Sequence, residues 1–254
     1  MSTTKKAPRR RSADKKKKDT PARKAPSRKT SSSSTEKEPE MVDLKELLAQ
    51  ASEEELVLEV PGIRAVSLYG DLDEKRGAQI VSELFNFYEM MNIIDTQLKT
   101  VEAKKRKKLA ESLSHRDPIK FLVSTFGGSA VDMFGIHDAM SMLKDAGVEI
   151  HTIGSGKVMS AGVLLLASGT KGHRYIGRNC RVMVHSVIGG AHGSSHDIQN
   201  EVEEILQTQD QYLKCLAKET KMSVSRLNKL ISEKRNVYLS AQEAIKLGIA
   251  DKII

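Results

Sequence analysis

The sequence predicts an α/β fold built from repeated strand–helix units, with one long helix protruding from it as a handle. Two observations carry this. Hydrophobic spacing switches from period 2 to helical period three times in succession, at 65–69 into 73–91, at 119–124 into 131–146, and at 148–153 into the apolar run after Ser160. Successive strand–helix units require crossovers, hence parallel strands with ligand sites near their C-terminal ends. In addition, residues 197–217 carry Ile198, Val202, Ile205, Gln209, Tyr212 and Leu216 at a repeat near 3.5, which suits packing along another helix.

The elements follow in order. A short helix is expected over 42–48, extending to 51, and a short strand over 56–60, closed by Pro61-Gly62. Strand 65–69 turns at Gly70-Asp71 into a helix whose inward stripe is Ile80, Leu84, Phe87 or Tyr88 and Met91, widened by Val81 and Phe85. Residues 93–117 break that rhythm with the block Lys104, Lys105, Arg106, Lys107 and Lys108, read as a solvated face, or else as an electrostatic contact for nucleic acid. Strand 119–124 ends in Thr125-Phe126-Gly127-Gly128. The helix after it turns Met133, Phe134, Ile136, Met140 and Leu143 inward and stops at Gly147. Strand 148–153, a Gly-rich turn and a buried helix from Ser160 come next, then a strand over 181–185 ending at His185. Beyond the long helix, residues 224–231 form a short helix, and Ser240-Ala-Gln-Glu243 has capping-box form for a last helix ending at Gly248.

Charge is concentrated at one end. Residues 1–40 carry 14 Lys and Arg against 5 Asp and Glu, so +9 of the formal net charge of +8 lies there and the remainder is −1. Four of the six prolines and the Ser31 to Ser34 run share this segment, whose one large apolar residue is Met1. It buries too little apolar surface to offset its chain entropy, so residues 1–55 are expected to be a disordered basic tail and linker and 56–254 the folded domain. Clustered Lys and Arg without interleaved aromatics attract phosphate in a salt-sensitive, sequence-blind way, giving the tail a nucleic-acid or acidic partner. Cys180 and Cys215 stand without a cysteine framework and read as reduced structural thiols, which with the lack of an apolar leader or spanning segment leads to a cytoplasmic, non-membrane expectation.

Chemistry points to one edge of the sheet. Ser160 lies at the start of a buried helix, where free N–H groups and the dipole favour negative charge; the plainer reading is a serine N-cap. His185 closes an apolar strand 25 residues later, and a strand end and a helix start on one edge can bring imidazole to hydroxyl. Gly127-Gly128 ends another strand on that side, where a backbone N–H could face an oxyanion. His137, on a helix, and His151 and His173, beside strands, are read as structural or exposed.

Four motifs in order, Ser124-Thr-Phe-Gly-Gly128, Gly156-Lys-Val-Met-Ser160-Ala-Gly162, Arg181-Val-Met-Val-His185-Ser-Val-Ile-Gly-Gly190 and Tyr238-Leu-Ser-Ala-Gln-Glu-Ala-Ile-Lys-Leu-Gly-Ile-Ala-Asp251, resemble the ClpP family of serine peptidases from about Ser67 to Ile254. The resemblance implies the ClpP/crotonase-like fold, with Ser160 as nucleophile, His185 as general base, and the N–H groups of Gly127 and Ala161 as oxyanion hole. It implies a homo-oligomer of stacked heptameric rings, joined through the long helix, that cuts peptide and protein substrates in an inner chamber without metal or organic cofactor. Where the family has its third, acidic residue this chain has Asn236, which can orient the imidazole but brings no negative charge; Asp197, Asp210 and Glu233 remain as candidate substitutes. Two rivals follow: a weakened or inactive ClpP-like structural or regulatory subunit, and a crotonase-type acyl-CoA enzyme. Family members engage a ring-shaped AAA+ unfoldase through short N-terminal loops and surface pockets. The long basic tail here predicts a different unfoldase partner or none.

Overall fold

The computed structural model describes residues 64–233 and 236–254. The expected tail and linker, the helix over 42–51 and the strand over 56–60 lie outside them. β1 (Ala65–Tyr69) leads to α1 (Glu74–Lys99) and α2 (Ala103–Leu113), then β2 (Ile119–Thr125) to α3 (Ala130–Asp145), and β3 (Ile150–Met159) to α4 (Ala161–Ala167). β4 (Arg174–Ile176) and β5 (Arg181–His185) precede α5 (Ser195–Glu219) and α6 (Val224–Glu233). β6 (Asn236–Leu239), α7 (Ala241–Leu247) and β7 (Lys252–Ile253) end the chain. The expected α/β fold of strand–helix units is therefore present. Among the described residues no helix is long and apolar enough to cross a membrane.

Among the described residues seven strands form one sheet in the order β1-β2-β3-β4-β7, with β5 attached to β3 and β6 to β5. Every pairing is parallel except β5 with β6. β3 is longer than its alternation predicts because it runs straight through Gly154 and Gly156 to Met159. It changes partner there: Thr152 to Gly154 pair with β4, and Lys157 to Met159 pair with β5. The glycine cluster thus marks a branch in the sheet and not the turn expected.

Burial follows the alternation. Val66, Leu68, Ile119, Phe121, Val123 and Ile150 face a core completed by Ile80, Leu84, Met133, Ile136, Met140, Leu143 and the whole of α4. Phe134 is half-buried, and Phe85, expected inward, is exposed. α1 opens on an Asp73 N-cap and continues past the expected break to Lys99. The Lys-rich block is itself helical: its cations are exposed along α2, while Leu109 and Leu113 close a small satellite core with Leu98. Ser194 and Asp197 form a capping box for α5, and Ser240 and Glu243 form the one expected for α7.

An ionic knot ties the last turns to the sheet. Arg174, 4% exposed, holds Asp251 through both of its oxygens and donates to the carbonyls of Ala167, Glu219 and Gly248. Glu219 is buried among Lys171 at 2.9 Å and Lys144 and His137, each at 3.7 Å. Burial pushes its carboxyl up, but its contacts with His137 and Lys171 and the charges of Lys144 and Lys171 outweigh this and hold it at about 2.

Candidate active site

Ser160 joins the end of β3 to the start of α4 with φ +53° and ψ −122°, a left-handed conformation that costs a residue with a side chain about 1–3 kcal/mol. Its neighbours hold it there. The Ser160 N–H donates to Met183 O at 2.9 Å, and its carbonyl accepts from Val163 N–H at 2.9 Å and from the buried Tyr212 hydroxyl at 3.1 Å. Ser160 occupies the N-cap position, yet its side chain makes no capping hydrogen bond, so the hydroxyl is not committed to the helix. A strained strand–turn–helix corner of this kind presents a serine Oγ at the edge of a sheet.

β2 supplies the opposite wall. The β2–β3 register slips between Val123 and Thr125, and the bulge aims the chain at Ser160. Gly127, at φ +114°, comes so close that a Cβ there would sit 2.5 Å from Ser160 Cβ and 3.0 Å from Oγ, so no other residue fits. The Gly127 N–H, expected as an oxyanion donor, donates instead to Thr125 Oγ1 at 2.9 Å. The next N–H, that of Gly128, has no hydrogen-bond partner among the described residues: the Leu72 bridge uses Gly127 O and Ser129 N–H on either side of it. Ala161, the first residue of α4, carries one of the N–H groups that a helix start leaves without an internal partner.

β5 brings the imidazole. Met159 pairs with Met183, so His185 lies two residues past the strand position that anchors Ser160. It is half-buried, and burial pulls its pKa below the ordinary value, an effect that a backbone hydrogen bond with Ser186 partly offsets. Asn236 opens β6 directly opposite His185 and is exposed. Among the described residues no side-chain hydrogen bond links Ser160 to His185 or His185 to Asn236. The candidate substitutes for Asn236 have other partners. Asp197 is spent in the α5 capping box, Asp210 pairs with Lys214 at 2.6 Å, and Glu233 lies near Lys229 at 3.8 Å.

Sequence reasoning missed the roles of Thr125 and Tyr212, and of the Gly127-Gly128 pair that it singled out it took Gly127 as the donor. Tyr212 was legible only as one more member of the α5 stripe, though a phenol within an apolar stripe asks for a hydroxyl partner when buried. Of the two cysteines, Cys180 is buried and its thiol is pushed up to about 11, as expected of an inert structural group.

The profile of one family, described as Clp protease, matches residues 72–254, from the turn before α1 through the last strand. That match covers every strand after β1 and all the site residues above. The chain belongs to the Clp protease family, whose members are peptidases that generally form oligomeric rings and work with unfoldases.

Proposed function

We propose that this chain is a serine endopeptidase whose Ser160 attacks peptide bonds inside a chamber formed by its own oligomer. The observation that carries the reading is the strained Ser160 backbone, pinned on three sides while its hydroxyl is left out of the helix cap. Strain that the surroundings over-determine at one serine is consistent with a hydroxyl that must be presented in a fixed direction.

In this mechanism His185, kept neutral by its partial burial, takes the proton from Ser160 Oγ as the oxygen adds to the substrate carbonyl. Two backbone N–H groups meet the resulting oxyanion. One is Ala161, backed by the α4 dipole. The second is assigned to Gly128, because Thr125 already engages the expected donor Gly127. The imidazolium then returns its proton to the departing amine, and water, activated by the same imidazole, releases the acyl group from Ser160. Asn236 can hold the imidazole tautomer by accepting Nδ1–H on its amide oxygen, without the charge a carboxylate would add. No metal or organic cofactor takes part.

Exposed Ile198, Val202 and Leu206 along α5 support packing of this helix against its counterpart in an opposing ring, with the heptameric ring taken from the resemblance. The basic tail is assigned to an acidic or nucleic-acid contact, and the unfoldase, if one serves this chain, docks by other means than a short N-terminal loop. The direct test is cleavage of an unfolded protein and a fluorogenic peptide by the purified oligomer, lost in Ser160→Ala. A second reading, a weakened or silent subunit, is favoured by Asn236 itself; it predicts no cleavage by wild type under conditions where Asn236→Asp cleaves.

A further inference from the structure

At the other end of β3 lies a group of side chains that hydrolysis does not use. His151 is the second residue of β3 and His173 immediately precedes β4. Because Thr152 pairs with Arg174, the two histidines stand side by side on adjacent parallel segments. Their rings stack with centroids 4.2 Å apart and planes 9° from parallel. Glu149 Oε2 faces both, 2.8 Å from His151 Nε2 and 3.9 Å from His173 Nε2. One donor atom from each of the three residues lies within 4.8 Å of the others.

We infer that Glu149, His151 and His173 form a binding site for one divalent transition metal of the zinc class. Bonds of about 2.0–2.1 Å at a tetrahedral angle separate neighbouring ligand atoms by roughly 3.3 Å. The observed 2.8 and 3.9 Å bracket that spacing, and the two stacked rings must tilt toward each other for their in-plane lone pairs to converge on one ion. Two imidazoles and one carboxylate form a borderline donor set that suits Zn²⁺ and leaves the fourth position open to water or another ligand.

A second observation points the same way. His173 Nδ1 is buried without a hydrogen-bond partner, and His173 Nε2 is beyond hydrogen-bond range of Glu149. A histidine ring stacked on another, with one nitrogen buried and unpaired and the other open to a ligand, is placed for coordination. The backbone beneath is rigid: His173 N–H donates to Thr170 O at 2.9 Å, and the N–H groups of Gly172 and Arg174 donate to Asp251 at 2.7 and 3.2 Å. Such support fixes ligand positions before the ion arrives.

The site is remote from the hydrolytic residues. Ser160 follows His151 by nine residue steps along the extended strand, about 30 Å. The metal therefore acts as a clip between the starts of β3 and β4, adding stability to the folded chain by mass action, and takes no part in acyl transfer.

The test uses the full-length chain without an affinity tag, freed of metal by chelation and dialysis. Calorimetric titration with Zn²⁺ should give one ion per chain, and Co²⁺ should give the intense visible absorption of a four-coordinate site. His151→Ala and His173→Ala should each weaken Zn²⁺ at least about tenfold. The exposed pair His192 and His196 is the rival locus, so the double variant His192→Ala/His196→Ala should bind as wild type does. Circular dichroism of the metal-free variants separates lost ligation from lost folding. Glu149→Gln, a surface change that spares both rings, should weaken binding as well and so provides a variant little exposed to misfolding. The inference is overturned if wild type binds no stoichiometric Zn²⁺, or if folded His151→Ala, His173→Ala and Glu149→Gln proteins bind it as tightly as wild type.

Discussion

His185 and Asn236 stand directly opposite one another across the antiparallel ladder between β5 and β6. Opposed residues in such a ladder have Cα atoms about 4.5–5.5 Å apart, so the group that orients the imidazole is set by strand register and not by a loop. Replacing Asn236 by Asp should therefore place a carboxylate at the same position. In a trypsin-like site the reverse change costs about 10⁴-fold in turnover, which bounds the gain expected here; an increase of about tenfold or more in the rate of Ser160 acylation is the outcome. An unchanged rate would mean that Asn236 does not serve His185.

The Gly127–Ser160 approach makes a sharp prediction. Gly127→Ala adds a Cβ 2.5 Å from Ser160 Cβ at a φ that L-residues rarely adopt. Thermal unfolding should show a loss of about 1–3 kcal/mol, and acylation of Ser160 should disappear in the protein that remains folded. Thr125→Val, which frees the Gly127 N–H, should leave acylation largely intact if Gly128 is the donor.

α4 is pressed onto β2 at Gly162, where a Cβ would come 2.5 Å from Thr125 Cγ2. Gly162→Ala should cost about 1–3 kcal/mol by overpacking, a fall in Tm of several degrees in a chain of this size. Gly162→Ala combined with Thr125→Ser, which removes the methyl group, should recover part of that loss.

Acid should weaken the fold through Glu219. Its folded pKa of about 2 lies below its ordinary value of 4.5, so the stability it contributes is complete above pH 4.5 and is lost as pH falls toward 2. Asp251 acts in the same direction: burial raises its carboxyl, but Arg174 holds it below its ordinary value. Tm measured against pH should fall along this limb, and Glu219→Gln should lower Tm at pH 7 while flattening the limb.

The acylation rate should itself titrate. Because burial lowers the His185 pKa, the acylation rate should fall in acid with a midpoint below pH 6.5. A midpoint above 6.5 would contradict the partial burial of the ring.

The fold was legible where local pattern and tertiary structure agree. β1 and β5 match the expected bounds because each is an isolated alternating run ended by turn residues. β3 and α1 were read short for separate reasons. Glycines usually end a strand, but those in β3 mark a change of partner. The polar stretch after Met91 stays helical because Leu98 buries against α2. At the site, Ser160 and His185 were legible as the ends of elements. The strain at Ser160, the capture of the Gly127 N–H by Thr125 and the Tyr212 tether were not, since each depends on contacts between distant strands and helices. Asn236 came from motif position alone; that it faces His185 depends on a register between residues 51 apart.

The measurement that bears most directly on the central claim is covalent labelling of the purified chain with a fluorophosphonate, read by intact mass, with Ser160→Ala and Asn236→Asp alongside. The account predicts one adduct per chain in wild type, none in Ser160→Ala and faster labelling in Asn236→Asp. An adduct that persists in Ser160→Ala, or no adduct in either wild type or Asn236→Asp, would contradict the assignment of Ser160 as the nucleophile.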